Sequence, residues 1–153
     1  MGTERGIKQK IEVDINPDRK DPRTYDLTVR TPEGFLKGEI GQSDSIAESF
    51  GSKSNLARYE LLRSFNAPTG WIFKMEVEKP ARGRGVGTKL MKAALDAMME
   101  SGVEYVVLSP RPESMDDWDR LVRFYKRFGF EEFKEFGKLK LWSMLMVKKL
   151  PVR

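Results

Sequence analysis

Seven consecutive residues, Arg82-Gly83-Arg84-Gly85-Val86-Gly87-Thr88, set three glycines at alternate positions with two arginines among them. Glycine admits backbone conformations that a side chain forbids, and lets the chain approach a ligand closely. The run lies between a strand-like segment, Trp71–Glu78, and an amphipathic helical pattern that starts near Val86. The first turn of a helix offers free N–H groups and the positive end of the peptide dipole, which together favour phosphate. Arg82 and Arg84 add charge beside it. The loop reads as a pyrophosphate cradle, against the alternative of a tight strand-to-helix turn that binds nothing.

Two familiar phosphate loops do not fit. A Walker loop requires Gly-x-x-x-x-Gly-Lys-Ser/Thr, and no such string occurs. The dinucleotide fingerprint requires Gly-x-Gly-x-x-Gly, whereas after Gly83 and Gly85 the third glycine falls one position early, at Gly87. Composition narrows the chemistry further. The chain has neither histidine nor cysteine. That removes disulfides, a typical zinc site, a cysteine nucleophile and a Ser-His-Asp triad, so no metal is expected.

The 153 residues suffice for one domain with a real core, and 39% hydrophobic with 33% charged residues suits a globular protein. No apolar run approaches the ~20 residues of a membrane span, and no signal-peptide core is present. A cytoplasmic protein without membrane contact is therefore expected. The net charge of +5 permits polyanion binding, but 23 acidic residues among 28 basic ones read mainly as solvated surface.

The elements that must position the loop follow from periodicity. Lys8–Ile15 alternates Ile11, Val13 and Ile15 with polar residues, as a half-buried strand would. Tyr25–Arg30 and Phe35–Ile40 read as a hairpin around Thr31-Pro32-Glu33-Gly34. Ile46, Phe50, Leu56, Leu61, Leu62 and Phe65 suggest one or two helices. Strict alternation along Trp71–Glu78 would put Ile72, Lys74, Glu76 and Glu78 on one face, and Phe73, Met75 and Val77 on the other. Val86–Ser101 is the strongest helix, with apolar residues recurring at three- and four-residue steps. Glu104–Ser109 is a short strand stopped by Pro110 and Pro112, and Asp117–Phe128 is a second helix with Asp116 or Asp117 as cap. Glu131–Phe136 and Leu139–Leu150 close the chain as strands around Gly137. The expected fold is a single α/β domain over residues 1–153, with a mixed, mostly antiparallel central sheet flanked by helices.

Arg82-x-x-Gly85-x-Gly87 matches the Arg/Gln-x-x-Gly-x-Gly/Ala loop of the GNAT superfamily of N-acetyltransferases. Met75-Glu76-Val77-Glu78-Lys79-Pro80 resembles that family's strand before the loop, and Phe124-Tyr125-Lys126-Arg127-Phe128-Gly129-Phe130 its aromatic-tyrosine segment. Met144–Leu150 is similar to its last strand, so the resemblance covers about residues 71 to 150. It implies two central strands that splay, here Trp71–Glu78 and Glu104–Ser109, with the pantetheine arm of acetyl-CoA in the gap. Met75, Glu76 and Val77 would contact the arm by main chain. Arg82, Gly83, Arg84, Gly85, Val86, Gly87 and Thr88 would hold the pyrophosphate.

The reaction the resemblance implies is attack of a primary amine on the thioester carbonyl in a ternary complex. Tyr125 stands where the family has its acid, the alternative being a packing residue after Phe124. With no histidine, Glu76 is the candidate base, the alternative being a solvent-facing strand residue; Ser109 could instead position a water. Trp118 occupies the position where many members have asparagine, which leaves that cofactor contact in doubt. Glu113, Asp116, Asp117 and Asp119 could attract a cationic acceptor or simply cap a helix. The acceptor, a small molecule or a protein amine, has no motif of its own. Leu139–Leu150 could pair across a homodimer. A non-catalytic acyl-CoA-binding regulatory domain and, more weakly, a nucleic-acid-binding module are the competing functions.

Overall fold

The computed structural model describes residues 10–51, 56–112, 115–135 and 144–151. Its first strands, β1 (Glu12–Pro17), β2 (Thr24–Thr31) and β3 (Gly34–Gln42), form an antiparallel meander. β4 (Pro68–Val77) pairs antiparallel with β3, and β5 (Tyr105–Leu108) lies parallel to β4. A parallel neighbour requires a crossover, which here is the 15-residue helix α3 (Val86–Glu100). The last strands, β6 (Glu131–Glu135) and β7 (Met144–Lys149), complete a seven-stranded sheet in the order β1-β2-β3-β4-β5-β7-β6. The sheet is mixed and mostly antiparallel, as expected.

Helices cover both faces. α3 buries Val86, Leu90, Met91, Ala94, Leu95 and Met98 over Leu27, Val29, Leu36, Ile40 and Ile72 of the sheet. Burying each large side chain contributes roughly 1.5–3 kcal/mol, so this stripe, more than intrinsic helix propensity, fixes α3. α4 (Trp118–Arg127) joins the same core through Val122 and Tyr125. On the other face, α1 (Ser43–Ile46) runs into a π-helical turn, Ala47–Gly51, and α2 (Leu56–Ser64) follows. Their Ile46, Phe50 and Leu62 pack with Val107, Leu145 and Val147, beside Trp71 and Tyr105. β5 is thus buried on both faces, which explains its unbroken apolar run. Among the described residues no helix is long and apolar enough to cross a membrane.

The structure corrects several sequence expectations. Every residue of β1 is exposed, with Val13 at 43%, because β1 is the sheet's edge. It also starts later, at Glu12, and runs through Pro17; the beginning of the expected strand at Lys8 lies outside the described residues. Phe136, the Gly137 turn and residues 139–143 of the last strand lie outside them too. The described part of that strand, β7, is hydrogen-bonded to β5 on one side and β6 on the other, so it offers no free edge to a second copy. Asp117 does sit at the start of α4, yet its carboxylate accepts from the Arg120 guanidinium (2.7 Å) and makes no capping bond.

The most consequential correction is the phase of β4. Lys37 pairs with Lys74 while the next residue, Gly38, pairs with Ile72, leaving Phe73 as the extra residue of a bulge. One extra residue reverses the alternation on either side of it. Ile72 therefore joins Met75 and Val77 against the α3 core, instead of sharing a face with Glu76. Gly38 makes the bulge possible: a Cβ there would stand 2.6 Å from the Trp71 carbonyl oxygen, a backbone atom that no rotamer change can move. Gly38→Ala should destabilise the protein by about 1–3 kcal/mol, read as a lowered urea midpoint at unchanged slope; an unchanged midpoint would contradict this packing.

Candidate acyl-CoA cleft

β4 and β5 pair through three residues only, Thr69 with Tyr105, Gly70 with Val106 and Trp71 with Val107. Beyond Trp71 the partners separate, although β4 continues to Val77 on its other side with β3. A cleft of about 600 Å³ opens at the far end of the parted strands. Met75, Glu76 and Val77 form one wall, and the glycine loop with the start of α3 forms its mouth. Backbone groups of β4 that lack a strand partner on this side can pair with the amides of an extended ligand.

The loop has the geometry its glycines suggested. Gly83 and Gly85 hold φ of +80° and +83°, in the left-handed region, and a Cβ on either would point into open space. Gly85 is the residue before α3, and the first bond of that helix runs from Lys89 N–H to the Gly85 carbonyl (3.1 Å). The amides of Val86, Gly87 and Thr88 come before that bond, and all three residues line the cleft. Arg82 Nε donates to the Val77 carbonyl (3.0 Å), tying the loop back to the strand it leaves. Gly87 brings the helix close to α4: a Cβ there would lie 3.5 Å from Phe124 Cζ.

The opposite wall comes from α4 and the segment before it. Asp117, Arg120, Leu121, Phe124 and Arg127 line the cleft at three- and four-residue steps along one helical face, with Arg111 and Pro112 beside them. Sequence reasoning did not assign Arg111, Arg120 or Arg127 to the cofactor; the helical spacing of 117, 120, 124 and 127 was the available signal. Arg127 stacks over Phe124 (5.7 Å to the ring centroid), and Arg120 holds Asp117. Four arginines and two carboxylates thus line a site whose donors and charge fit a pyrophosphate. Asp117 faces this cofactor side, which argues against its drawing a cationic acceptor. Asp116 and Asp119 are exposed, and Glu113 lies outside the described residues.

Residues 46–130 match the model of the acetyltransferase (GNAT) family. The chain belongs to the GNAT family. A stretch of 65 residues is 37% identical to N-alpha-acetyltransferase 30 of Schizosaccharomyces pombe, covering 42% of this chain and 41% of that protein. The chain thus spans less than half of that curated relative. In fold it resembles Arabidopsis thaliana NAA60 in complex with acetyl-CoA, with a TM-score of 0.55 at 14% identity, over 92% of this chain and 99% of that one. It also resembles the NatC complex bound to Gag peptide and CoA, with a TM-score of 0.55 at 17% identity, over 85% and 72% of the two chains.

Of the GNAT residues expected from sequence, Met75, Glu76, Val77, Arg82, Gly83, Gly85, Val86, Gly87 and Thr88 line one cleft. Arg84 is exposed in the same loop and is not among the lining residues. Glu76 is exposed on the cleft's strand wall. Tyr125 sits behind the lining: its ring meets Phe124 edge-on (5.4 Å) and Phe130 (6.1 Å), and it is 9% exposed. Trp118 begins α4 and packs, half-buried, against the same core.

Burial pushes the Tyr125 phenol up to about 12. The folded protein therefore holds that proton more tightly than the unfolded chain, whose tyrosines titrate near ~10. The associated stability, on the order of 2–3 kcal/mol, is fully present below pH ~10 and is lost as pH rises through about 12. Wild-type protein should show a late tyrosinate absorbance step and a steep alkaline loss of stability. Tyr125→Phe should remove the step and flatten the slope; a late step that survives in the variant would contradict the burial.

Proposed function

We propose that this protein is an acyl-CoA-dependent N-acyltransferase that moves an acetyl group from acetyl-CoA to a primary amine by direct attack within a ternary complex. The observation that carries this reading is the parted β4–β5 pair with a glycine loop and helix N-terminus at its mouth. The pantetheine arm pairs with the main chain of Met75, Glu76 and Val77. The pyrophosphate lies on the N–H groups from Gly83 to Thr88, with Arg82, Arg84 and the α4 arginines supplying charge. In the reaction the amine nitrogen bonds to the thioester carbon, the C–S bond breaks, the amine yields a proton and the thiolate gains one.

A protein α-amine is the acceptor best supported, because the curated relative is named as an N-alpha-acetyltransferase. The chemistry agrees. An α-amine with pKa near ~8 is neutral in roughly a tenth of molecules at pH 7, a lysine in only about one in a few thousand. A carboxylate such as Glu76, acting directly or through water, can then serve as base in a chain without histidine. A thiol titrates near ~8.5. A phenol held at about 12 is the weaker acid, so the part proposed for Tyr125, which sits just behind the lining, is to offer a hydrogen bond toward the leaving thiolate rather than to give up its proton.

The enclosure of Tyr125 favours a second reading, a non-catalytic acyl-CoA-binding domain. Incubation with acetyl-CoA and a panel of N-terminal peptides, followed by thiol release and peptide mass, separates the two. Turnover that falls at least ~10-fold in kcat for Tyr125→Phe, with little change in KM for acetyl-CoA, is the expected result. Acetyl-CoA binding without turnover of any amine would favour the regulatory domain. Gel filtration with light scattering addresses the homodimer, and fractionation the cytoplasmic location.

A further inference from the structure

The cofactor cleft lies on one face of the sheet. Its loop and α4 walls pack, through Val86, Leu121 and Phe124, with Leu36, Met75 and Val77 in the α3 core. In a ternary complex the cofactor fills that side, so the acceptor amine must come from the other. The gap narrows there to about 10 Å³ among Phe50, Trp71, Phe73 and Ser109. Phe50 stacks on Trp71 (4.7 Å), and Trp71 leans on Phe73 (4.9 Å). The core under α1 and α2 takes in Trp71, but beyond it β4 opens to solvent: Phe73, Lys74 and Glu76 are all exposed.

Strand pairing sets what stands on this open face. Leu36 is buried in the α3 core, so its neighbours Phe35 and Lys37 point the other way. Cross-strand partners share a face, which adds Glu76 opposite Phe35 and Lys74 opposite Lys37. Both lysines are exposed, and both ammonium groups stand 5.6 Å from the centroid of the half-buried Phe35 ring. Like charges directly opposite on a sheet repel. Among the described residues neither lysine forms an ion pair, and Asp14, in the same cross-strand row, is engaged by Arg30 (3.0 Å). Glu76 lies two residues from Lys74, roughly 7 Å along the strand. The Phe35 ring gathers the two charges, since an aromatic face attracts cations. The result is a doubly positive site on an apolar floor, one step from the candidate base Glu76.

We propose that Lys37 and Lys74 select the acceptor: a protein N-terminus with an aspartate or glutamate among its first two residues. With the α-amine at Glu76, in direct contact or through one water, the first two side chains fall close by, successive Cα atoms being ~3.8 Å apart. A carboxylate there is drawn by both ammonium groups, and the exposed Phe73 ring offers apolar surface to its methylene stem. A basic residue in the same place is repelled. This inference rests on the proposed transfer to an α-amine and adds which α-amines are preferred.

Steady-state kinetics with two peptide pairs tests it, Asp against Asn at the first residue and Glu against Gln at the second, each pair otherwise identical. The proteins are wild type and the double variants Lys37→Gln/Lys74→Gln and Lys37→Glu/Lys74→Glu. Both positions are exposed, so the variants should keep the parent's circular dichroism. Wild type should favour the acidic member of at least one pair by ~5-fold or more in kcat/KM, chiefly through KM. Exposed ion pairs are worth up to roughly fivefold each, and here two act on one carboxylate. Added salt should shrink the preference. The ratio should fall toward one in the Gln double variant, and the Glu double variant should instead favour a peptide with Lys at that position. Equal use of both members of both pairs by wild type, or a preference that survives in the Gln double variant, would overturn the acidic-acceptor reading alone. Turnover of none of the four peptides by protein that binds acetyl-CoA would overturn the proposed transfer to α-amines, and this inference with it.

Discussion

The parting of β4 from β5 is the constraint on which the rest of the structure depends. Two parallel strands that pair for three residues and then separate leave backbone donors and acceptors facing a gap inside an otherwise closed sheet. Two local causes lie on either side. β4 carries the Phe73 bulge, which bends and twists it away from a regular course. After Leu108 the chain reaches Pro110 and Pro112, which have no N–H to donate and cannot extend a ladder. Neither cause alone empties the gap: the core beneath keeps β4 anchored to β3 while α3 and α4 hold the two walls apart.

The gap gains chemical direction from what stands at its ends. At the mouth, the left-handed Gly83 and Gly85 lead the chain into the first residues of α3, which line the cleft. At the apex, a packed aromatic pile and a buried serine hydroxyl leave almost no volume. A ligand suited to both ends must be long, amide-bearing, anionic at one end and slim at the other. Acyl-CoA has that profile. The surface ion pairs of the first two strands and the turn between them, Arg30 with Asp14 and Arg23 with Asp21, matter little beside this, since such pairs contribute at most about 1 kcal/mol each.

Much of this was legible in the residues. Glycine spacing located the left-handed loop at the cleft's mouth, the three- and four-residue steps of Val86–Ser101 gave α3, and alternation gave the β2–β3 hairpin. The failures have a common physical origin: periodicity reports side-chain pattern, not tertiary partners. Ile11, Val13 and Ile15 alternate as a half-buried strand would, yet at the sheet's edge they stay 39%, 43% and 40% exposed. Phe73 continues an alternating pattern, yet the opposing Gly38 admits an extra residue and reverses the phase of Ile72. The arginines of α4 were visible as basic residues; that they share the cleft with the glycine loop depends on how α4 packs beside α3. The enclosure of Tyr125 is equally a property of neighbours, Phe124 and Phe130 above all.

The proposed function requires that the glycine loop and the parted strands bind CoA. The most direct measurement is calorimetric titration of CoA into wild type and Gly87→Glu. Gly87 has ordinary helical geometry and its added side chain would start between Phe124 and Met75, so the variant should fold while blocking the cleft with a carboxylate. Saturable, stoichiometric binding to wild type is expected, abolished in a Gly87→Glu protein whose circular dichroism and melting are those of the parent. Binding of equal strength in the folded variant, or none to folded wild type, would contradict it.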